Sequence, residues 1–187
     1  MSNPFGFDGL APELVARISA TLGKVEARLL EATSSADPFI EMTASHLSRA
    51  GGKRFRPLVA TLASELGSPS AQSVDAAVVV ELTHLATLYH DDVMDEAPRR
   101  RGTDSANNRW GNTLAILTGD FIFARLSGIL ADLGPEAVRL QAVTFERLVT
   151  GQIHETVGPR DGEDAVTHHL QVLADKTGSL IAATAQY

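Results

Sequence analysis

An all-helical fold is predicted for this chain of 187 residues by three observations. Hydrophobic residues make up 44% of the sequence but aromatic ones only 5%, the aliphatic excess being Ala, Leu and Val. Apolar residues recur at helical spacing over long stretches, and strand-like alternation is scarce. Punctuation of the type Asp-Pro and Gly-Pro divides those stretches into segments of helical length. The length is that of one domain able to bury a core, so residues 1–187 are expected to form a single helical domain. A formal net charge of −7 argues against nonspecific nucleic-acid binding. An anionic substrate would then require locally concentrated cations or a metal. The absence of cysteine excludes disulfides, zinc–thiolate sites and thiol nucleophiles. Residues 1–9 show neither a basic nor an apolar leader segment. No apolar run is expected to reach the ~20 residues of a membrane span, so a soluble cytoplasmic protein is the default.

Taken in order, Leu14, Ile18, Leu22, Val25 and Leu29 predict an amphipathic helix over 11–32. Asp37 as N-cap and Pro38 at the first helical position predict a short helix to about Arg49. Gly51-Gly52-Lys53-Arg54-Phe55-Arg56-Pro57 then joins two glycines, three cations and a proline ahead of an apolar helix, Leu58 to Leu66, ended by Gly67 and Pro69. Glycines that let backbone N–H groups approach, a helix N-terminus and adjacent Lys and Arg suit an anion such as phosphate. A basic turn without ligand is the equal alternative, and the Walker A spacing is absent. The helix Asp75 to Glu96 is apolar nearly all round and is therefore central. A polar loop over 97–111 is long enough to suspect function and mobility. Thr113 to Leu133 is a further apolar helix, interrupted at Gly119-Asp120. Gly134-Pro135 starts another that reaches about His154, and a last amphipathic segment spans Val166 to Tyr187.

The densest chemistry lies between His84 and Gly102. Asp91 and Asp95 are four apart and stack on one helix face, with Asp92 turned away. At ~6 Å and an effective dielectric of about 20 two such carboxylates repel by roughly 3 kcal/mol, a cost that a divalent cation reverses in sign. Hard oxygen ligands suit Mg2+. Pro98 puts the helix end near Glu96, so the carboxylates crowd the negative end of its dipole. Either the arginines at 99–101 or a metal must compensate. On the helical wheel His84 lies about 20° and Asp95 about 40° from Asp91, so a central helix carries a polar stripe. His90 lies on another face.

Together, the Gly51–Pro57 loop, His84, Asp91-Asp92-Val93-Met94-Asp95, Arg99-Arg100-Arg101-Gly102, Gly151-Gln152 and Lys176-Thr177 resemble, in order and spacing, the trans-polyprenyl diphosphate synthases. The resemblance covers essentially the whole chain. It implies a bundle of mostly antiparallel helices around a central apolar cavity. It also implies a prenyl transfer between isopentenyl diphosphate and an allylic diphosphate, a homodimer, and Mg2+ as cofactor. Lys53, Arg56 and His84, with Arg101, would hold isopentenyl diphosphate. Asp91 and Asp95 would take the metal with Asp92 in support, and Arg100, Lys176 and Thr177 would contact the allylic diphosphate; Asp91, Asp92, Asp95 and Lys176 would carry the catalysis. Small residues at Ala86 and Thr87, just before the aspartates, imply a long product. Two departures stand out: no second DDxxD follows Asp95, and Glu155 stands where an aspartate is frequent. The chain accordingly reads as the N-terminal portion of a synthase.

Three rivals compete. His90-Asp91 is the pair of an HD-type phosphohydrolase, which leaves Asp95, the arginines and the Gly-Lys loop without roles. A class I terpene cyclase also uses DDxxD, but its cavity is usually aromatic. A diphosphate-binding, non-catalytic helical subunit or fragment would explain the missing second motif.

Overall fold

Why the first two helices form where they do is legible in their ends. In the computed structural model, which describes residues 9–187, α1 spans Pro12–Ala32 with proline in its first turn. It buries Ile18, Val25 and Leu29 completely or nearly so. The guanidinium of Arg125 donates to Ala32 O at 3.0 Å and Ser34 O at 2.7 Å, satisfying carbonyls at and just past the end of α1. Helix α2, Pro38–Arg49, has Asp37 as N-cap, its Oδ1 accepting from Phe39 N at 2.8 Å and Ile40 N at 3.2 Å. The reading of a missing leader over residues 1–9 falls, except for Gly9, outside the described residues.

Helix α3, Phe55–Ser64, begins three residues before the expected Leu58. Pro57 is tolerated at its third position because that N–H has no intrahelical acceptor in any helix. Helix α4 runs Ala71–Met94, starting four residues ahead of Asp75, where Ser70 N donates to Ser73 Oγ. It is sheathed on almost every side: Ala76 through Thr83 are buried without a gap, as are Leu85, Ala86 and Tyr89. The Tyr89 hydroxyl donates to Thr43 O at 2.6 Å and ties α4 to α2. The α4 C-terminus is a Schellman motif: Ala97 N donates to Asp92 O and Glu96 N to Val93 O, with Glu96 left-handed at φ 48°.

The expected polar loop 97–111 is regular. Strands β1, Arg99–Arg100, and β2, Thr103–Asp104, pair antiparallel, Arg100 opposite Thr103. Arg101 and Gly102, at φ 53° and 79°, form the two-residue turn with positive φ at both positions that suits strand twist. A short helix α5, Ala106–Trp110, follows. Helix α6, Asn112–Leu133, is the main partner of α4 and is not interrupted at Gly119-Asp120. Gly119 instead admits the His90 ring, whose Nε2 would lie 2.4 Å from an added Cβ. By length and composition α6 could cross a membrane, against expectation, since its few polar residues leave the mean hydropathy high. Here it buries Ile122, Leu126 and Leu130 in the core shared with α4.

Helix α7, Pro135–Val157, is followed by α8, Ala165–Leu173, a π-helical turn over Ala174–Gly178, and α9, Ser179–Thr184. Leu180 is buried against Val80 and Leu148, whereas Val166, Leu170 and Leu173 are exposed. Helices thus form a bundle centred on α4. Because Glu96 holds a left-handed conformation that costs a non-glycine residue about 1 kcal/mol, Glu96→Gly is expected to raise the melting temperature by ~2–4 °C, measured by thermal unfolding.

Candidate active site

Two clusters gather on α4 and the segments packed on it. The first surrounds Asp91, Asp92 and Asp95. Asp92 is fully buried, and its Oδ1 accepts from Arg100 Nε at 2.6 Å and Nη2 at 2.5 Å. The short strand β1 puts Arg100 there. Burial holds the Asp92 carboxyl above the usual carboxylate range, with the Arg100 hydrogen bond pulling down. Its Oδ2 is buried without a partner. Thus the arginine triplet compensates one aspartate only. Among the described residues no cation forms an ion pair with Asp91 or Asp95. Burial raises the Asp91 carboxyl, the nearby Lys176 lowers it, and Asp95 raises it. Asp95 caps α4 in helical conformation, its N–H bonded to Asp91 O at 2.8 Å, so the two carboxylates keep the expected helical stacking.

Lys176 faces this group from the π-helical turn, its Nζ donating to Glu155 Oε2 at 2.5 Å. Thr177 is exposed beside it. Sequence alone gave no sign of why the helix is wider there. A Cβ on Gly151 would lie 2.5 Å from Lys176 N, so only glycine lets α7 pack against that turn. Arg147 adds a clamp, donating twice to Asp175 Oδ1 at 3.0 and 2.7 Å. The Gln152 Oε1 is buried and unpartnered.

The second cluster gathers cations. Burial, then the charges of Arg56, Arg101, Arg100 and Arg54, push the His84 imidazole down to about 3, so it is neutral at physiological pH. Arg56 is half-buried with Nε unpartnered, and burial works against its charge while Glu81 supports it. Lys53 is exposed at the loop. Arg101, expected beside these residues, is also bonded within the protein. Its guanidinium donates to Leu47 O at 3.0 Å, Gly51 O at 2.5 Å and Glu81 Oε1 at 3.2 Å. Sequence reasoning passed over Glu81, although a single acid inside the apolar run 76–89 was the available signal. It counted Arg54 among the cations suited to an anion, whereas the guanidinium is taken up by Glu26 and Glu81.

His90 does not face this stripe. Its Nε2 lies 3.2 Å from Ile116 O and 3.4 Å from Asp120. Among the described residues no group of three or more His, Asp or Glu side chains is placed to hold a metal. Two carboxylates alone suit an ion that completes its shell with phosphate and water oxygens, as Mg2+ does. Asp91 and Asp95, which form no ion pair with a protein cation among the described residues, fit such an ion, whereas the buried Asp92 is held by Arg100.

This helical bundle is shared with a solved isoprenoid synthase family member from Thermotoga neapolitana, which superposes with TM-score 0.81 at 29% identity over 88% of this chain and 67% of that one. The polyprenyl synthetase family profile matches residues 37–187, and the chain belongs to that family of trans-prenyltransferases. It is 49% identical over 170 residues to the nonaprenyl diphosphate synthase of Mycobacterium tuberculosis, covering 90% of this chain and 51% of the relative. It is 42% identical over 177 residues to the dimethylallyltranstransferase of the same organism, covering 94% and 54%. A geranylgeranyl pyrophosphate synthase from Corynebacterium glutamicum, solved with calcium and isoprenyl diphosphate, superposes with TM-score 0.83 at 51% identity over 94% of this chain and 54% of that one. The chain spans about half the length of these relatives.

Two outcomes follow from the geometry. Below about pH 6.5 the unfolded chain protonates His84, whereas the folded one does not until about pH 3, so lowering the pH through that range costs stability at this residue. His84→Gln is expected to flatten that part of the curve in denaturant titrations at stepped pH. Gly151→Ala forces backbone against backbone, and a loss of about 1–3 kcal/mol is expected by the same titrations.

Proposed function

We propose that this chain supplies the first aspartate motif and the isopentenyl diphosphate subsite of a prenyltransferase. The enzyme condenses isopentenyl diphosphate with an allylic diphosphate to a long-chain polyprenyl diphosphate, as a soluble cytoplasmic homodimer. The observation that carries this is the division of labour on α4: His84 lies among the guanidinium groups, while Asp91 and Asp95, about two and three turns further along, form no ion pair with a protein cation among the described residues. One subsite is built for a bare anion and the other for an anion that brings metal.

In this reading Lys53, Arg56 and neutral His84 bind the diphosphate of isopentenyl diphosphate, with Arg101 holding their frame. A neutral imidazole donates a hydrogen bond and serves as a poor proton store, so His84 orients rather than titrates. Asp91 and Asp95 would hold Mg2+, which supplies charge neutralisation to the departing allylic diphosphate. Arg100, fixed by Asp92, and Lys176, on its π-helical turn beside Thr177, add cations where negative charge grows as the carbon–oxygen bond breaks. The reaction asks for no nucleophilic side chain.

The long product is supported by small side chains at Ala86 and Thr87. Ala86 is fully buried in the core, however, and the Thr87 hydroxyl bonds His84 O. A bulky replacement at Ala86 would overpack the core, so Thr87 is the cleaner position to probe.

The second reading is a diphosphate-binding chain without turnover, which uses the same residues and differs only in the absence of condensation. Both are tested by thermal unfolding with pyrophosphate and magnesium, followed by a condensation assay. Magnesium is expected to raise the melting temperature only when pyrophosphate is present, in proportion to the logarithm of its concentration. Asp91→Ala and Asp95→Ala should abolish that rise; a rise equal to the parent's overturns the metal assignment. A short-chain product overturns the long-chain reading, and binding without condensation favours the second one.

A further inference from the structure

Glu81 is 2% exposed in the middle of α4, and the proposed chemistry does not use it. Its Oε1 accepts from Arg54 Nη1 at 3.0 Å and Arg101 Nη2 at 3.2 Å. These arginines come from separate segments, the Gly51–Pro57 loop and the hairpin turn. Among the described residues three non-glycine side chains have positive φ, and two of them are Arg54 at 47° and Arg101 at 53°. Both also donate to the same carbonyl, Gly51 O, and each takes a second carbonyl near the end of α2, Ser48 O for Arg54 and Leu47 O for Arg101. Glu26 pairs with the outer side of Arg54. Gly52 lies over Arg101: a Cβ there would be 3.0 Å from its Cζ.

We infer that Glu81 is a positioning residue that locks the Gly51–Pro57 loop and the Arg101 turn in one register, so that Lys53, Arg56 and His84 present a single anion subsite. This rests on the diphosphate reading given above. Two strained left-handed residues persist where surrounding bonds over-determine them, and here one buried carboxylate is the bond they share. Without it Arg101 loses its one carboxylate partner among the described residues, in a largely buried place, and Arg54 keeps Glu26 alone. The sign of the effect separates positioning from simple charge. A negative group near an anion site repels the anion, so neutralising Glu81 would tighten binding if charge alone mattered. Loss of register weakens it.

Calorimetric titration of the 187-residue chain with inorganic pyrophosphate, in chelator and then in excess magnesium, reads this directly. Glu81→Gln is expected to weaken the metal-independent binding by on the order of tenfold, within the usual range of coupling between a site and a group that acts on it indirectly. The additional magnesium-dependent binding that needs Asp91 and Asp95 is expected to persist. Equal or tighter metal-independent binding overturns the inference, as does a proportional loss of both components, which marks a general fold defect. If Glu81→Gln does not fold by circular dichroism, Glu81→Asp, charged but one methylene shorter, takes its place. Weakened binding then supports positioning and parental affinity overturns it. A parent chain that binds no pyrophosphate defeats the diphosphate reading instead. In that case hydrogen exchange decides: amides over 51–57 and 99–104 should lose protection together in the variant, and unchanged protection overturns the inference.

Discussion

A helix buried on nearly every face has to find an internal partner for each ionisable group it carries, and α4 meets that demand differently along its length. Glu81 is matched by two arginines and Asp92 by one. His84 escapes the cost by staying neutral among cations. Asp91 and Asp95, at the end where the helix emerges, are not matched by protein at all. The order matters because charge that is compensated internally is less available to a ligand. Thus α4 divides itself into a structural stretch, paired and dry, and a terminal stretch whose carboxylates remain for something brought from outside.

Strain follows the same division. Arg54, Glu96 and Arg101, the non-glycine residues with positive φ among those described, stand at the start of α3, the end of α4 and the tip of the hairpin. All three flank the charged stripe. A left-handed arginine costs more than a glycine would, yet a glycine has no side chain to send back to Glu81. At Arg54 and Arg101 the backbone penalty is therefore offset by a buried, charge-assisted bond. Glu96 makes no such return contact among the described residues, which is why its strain stands apart from the other two.

Much of the fold was legible because helices announce themselves through periodicity and caps. Asp37-Pro38 and Gly134-Pro135 marked starts that the structure keeps. The start of α4 was missed because Ser70 is answered three residues later by Ser73 rather than by Glu or Gln, which weakens the capping signature. The hairpin was read as loop because two-residue strands are too short to alternate, and because its turn is Arg-Gly in place of the commoner Asn-Gly. At the site, the residues that meet ligand in the proposed reading stood out by type and spacing. Those that hold them did not. A single Glu in an apolar run gives no hint of which cations will reach it from loops far away in sequence. Nor does Gly151 disclose that its missing Cβ makes room for the backbone of Lys176.

The carboxylate arrangement also constrains how metal and diphosphate can bind. Two aspartates supply too few ligands to remove Mg2+ from water by themselves, and Asp92, which could have been a third, is already held by Arg100. Conversely, a diphosphate approaching Asp91 and Asp95 without metal meets like charge, softened only by Lys176 and Arg100. Each ligand therefore lowers the cost of the other, and the coupling is reciprocal by linkage. Lys176 is in turn shared with Glu155, so a diphosphate must compete for it. Because Glu155 and Lys176 are partly exposed, that competition is weak. In the proposed reading the strength of the site thus rests on α4 and the metal it would hold, with the π-helical turn supplying a cation that is placed but shared with Glu155.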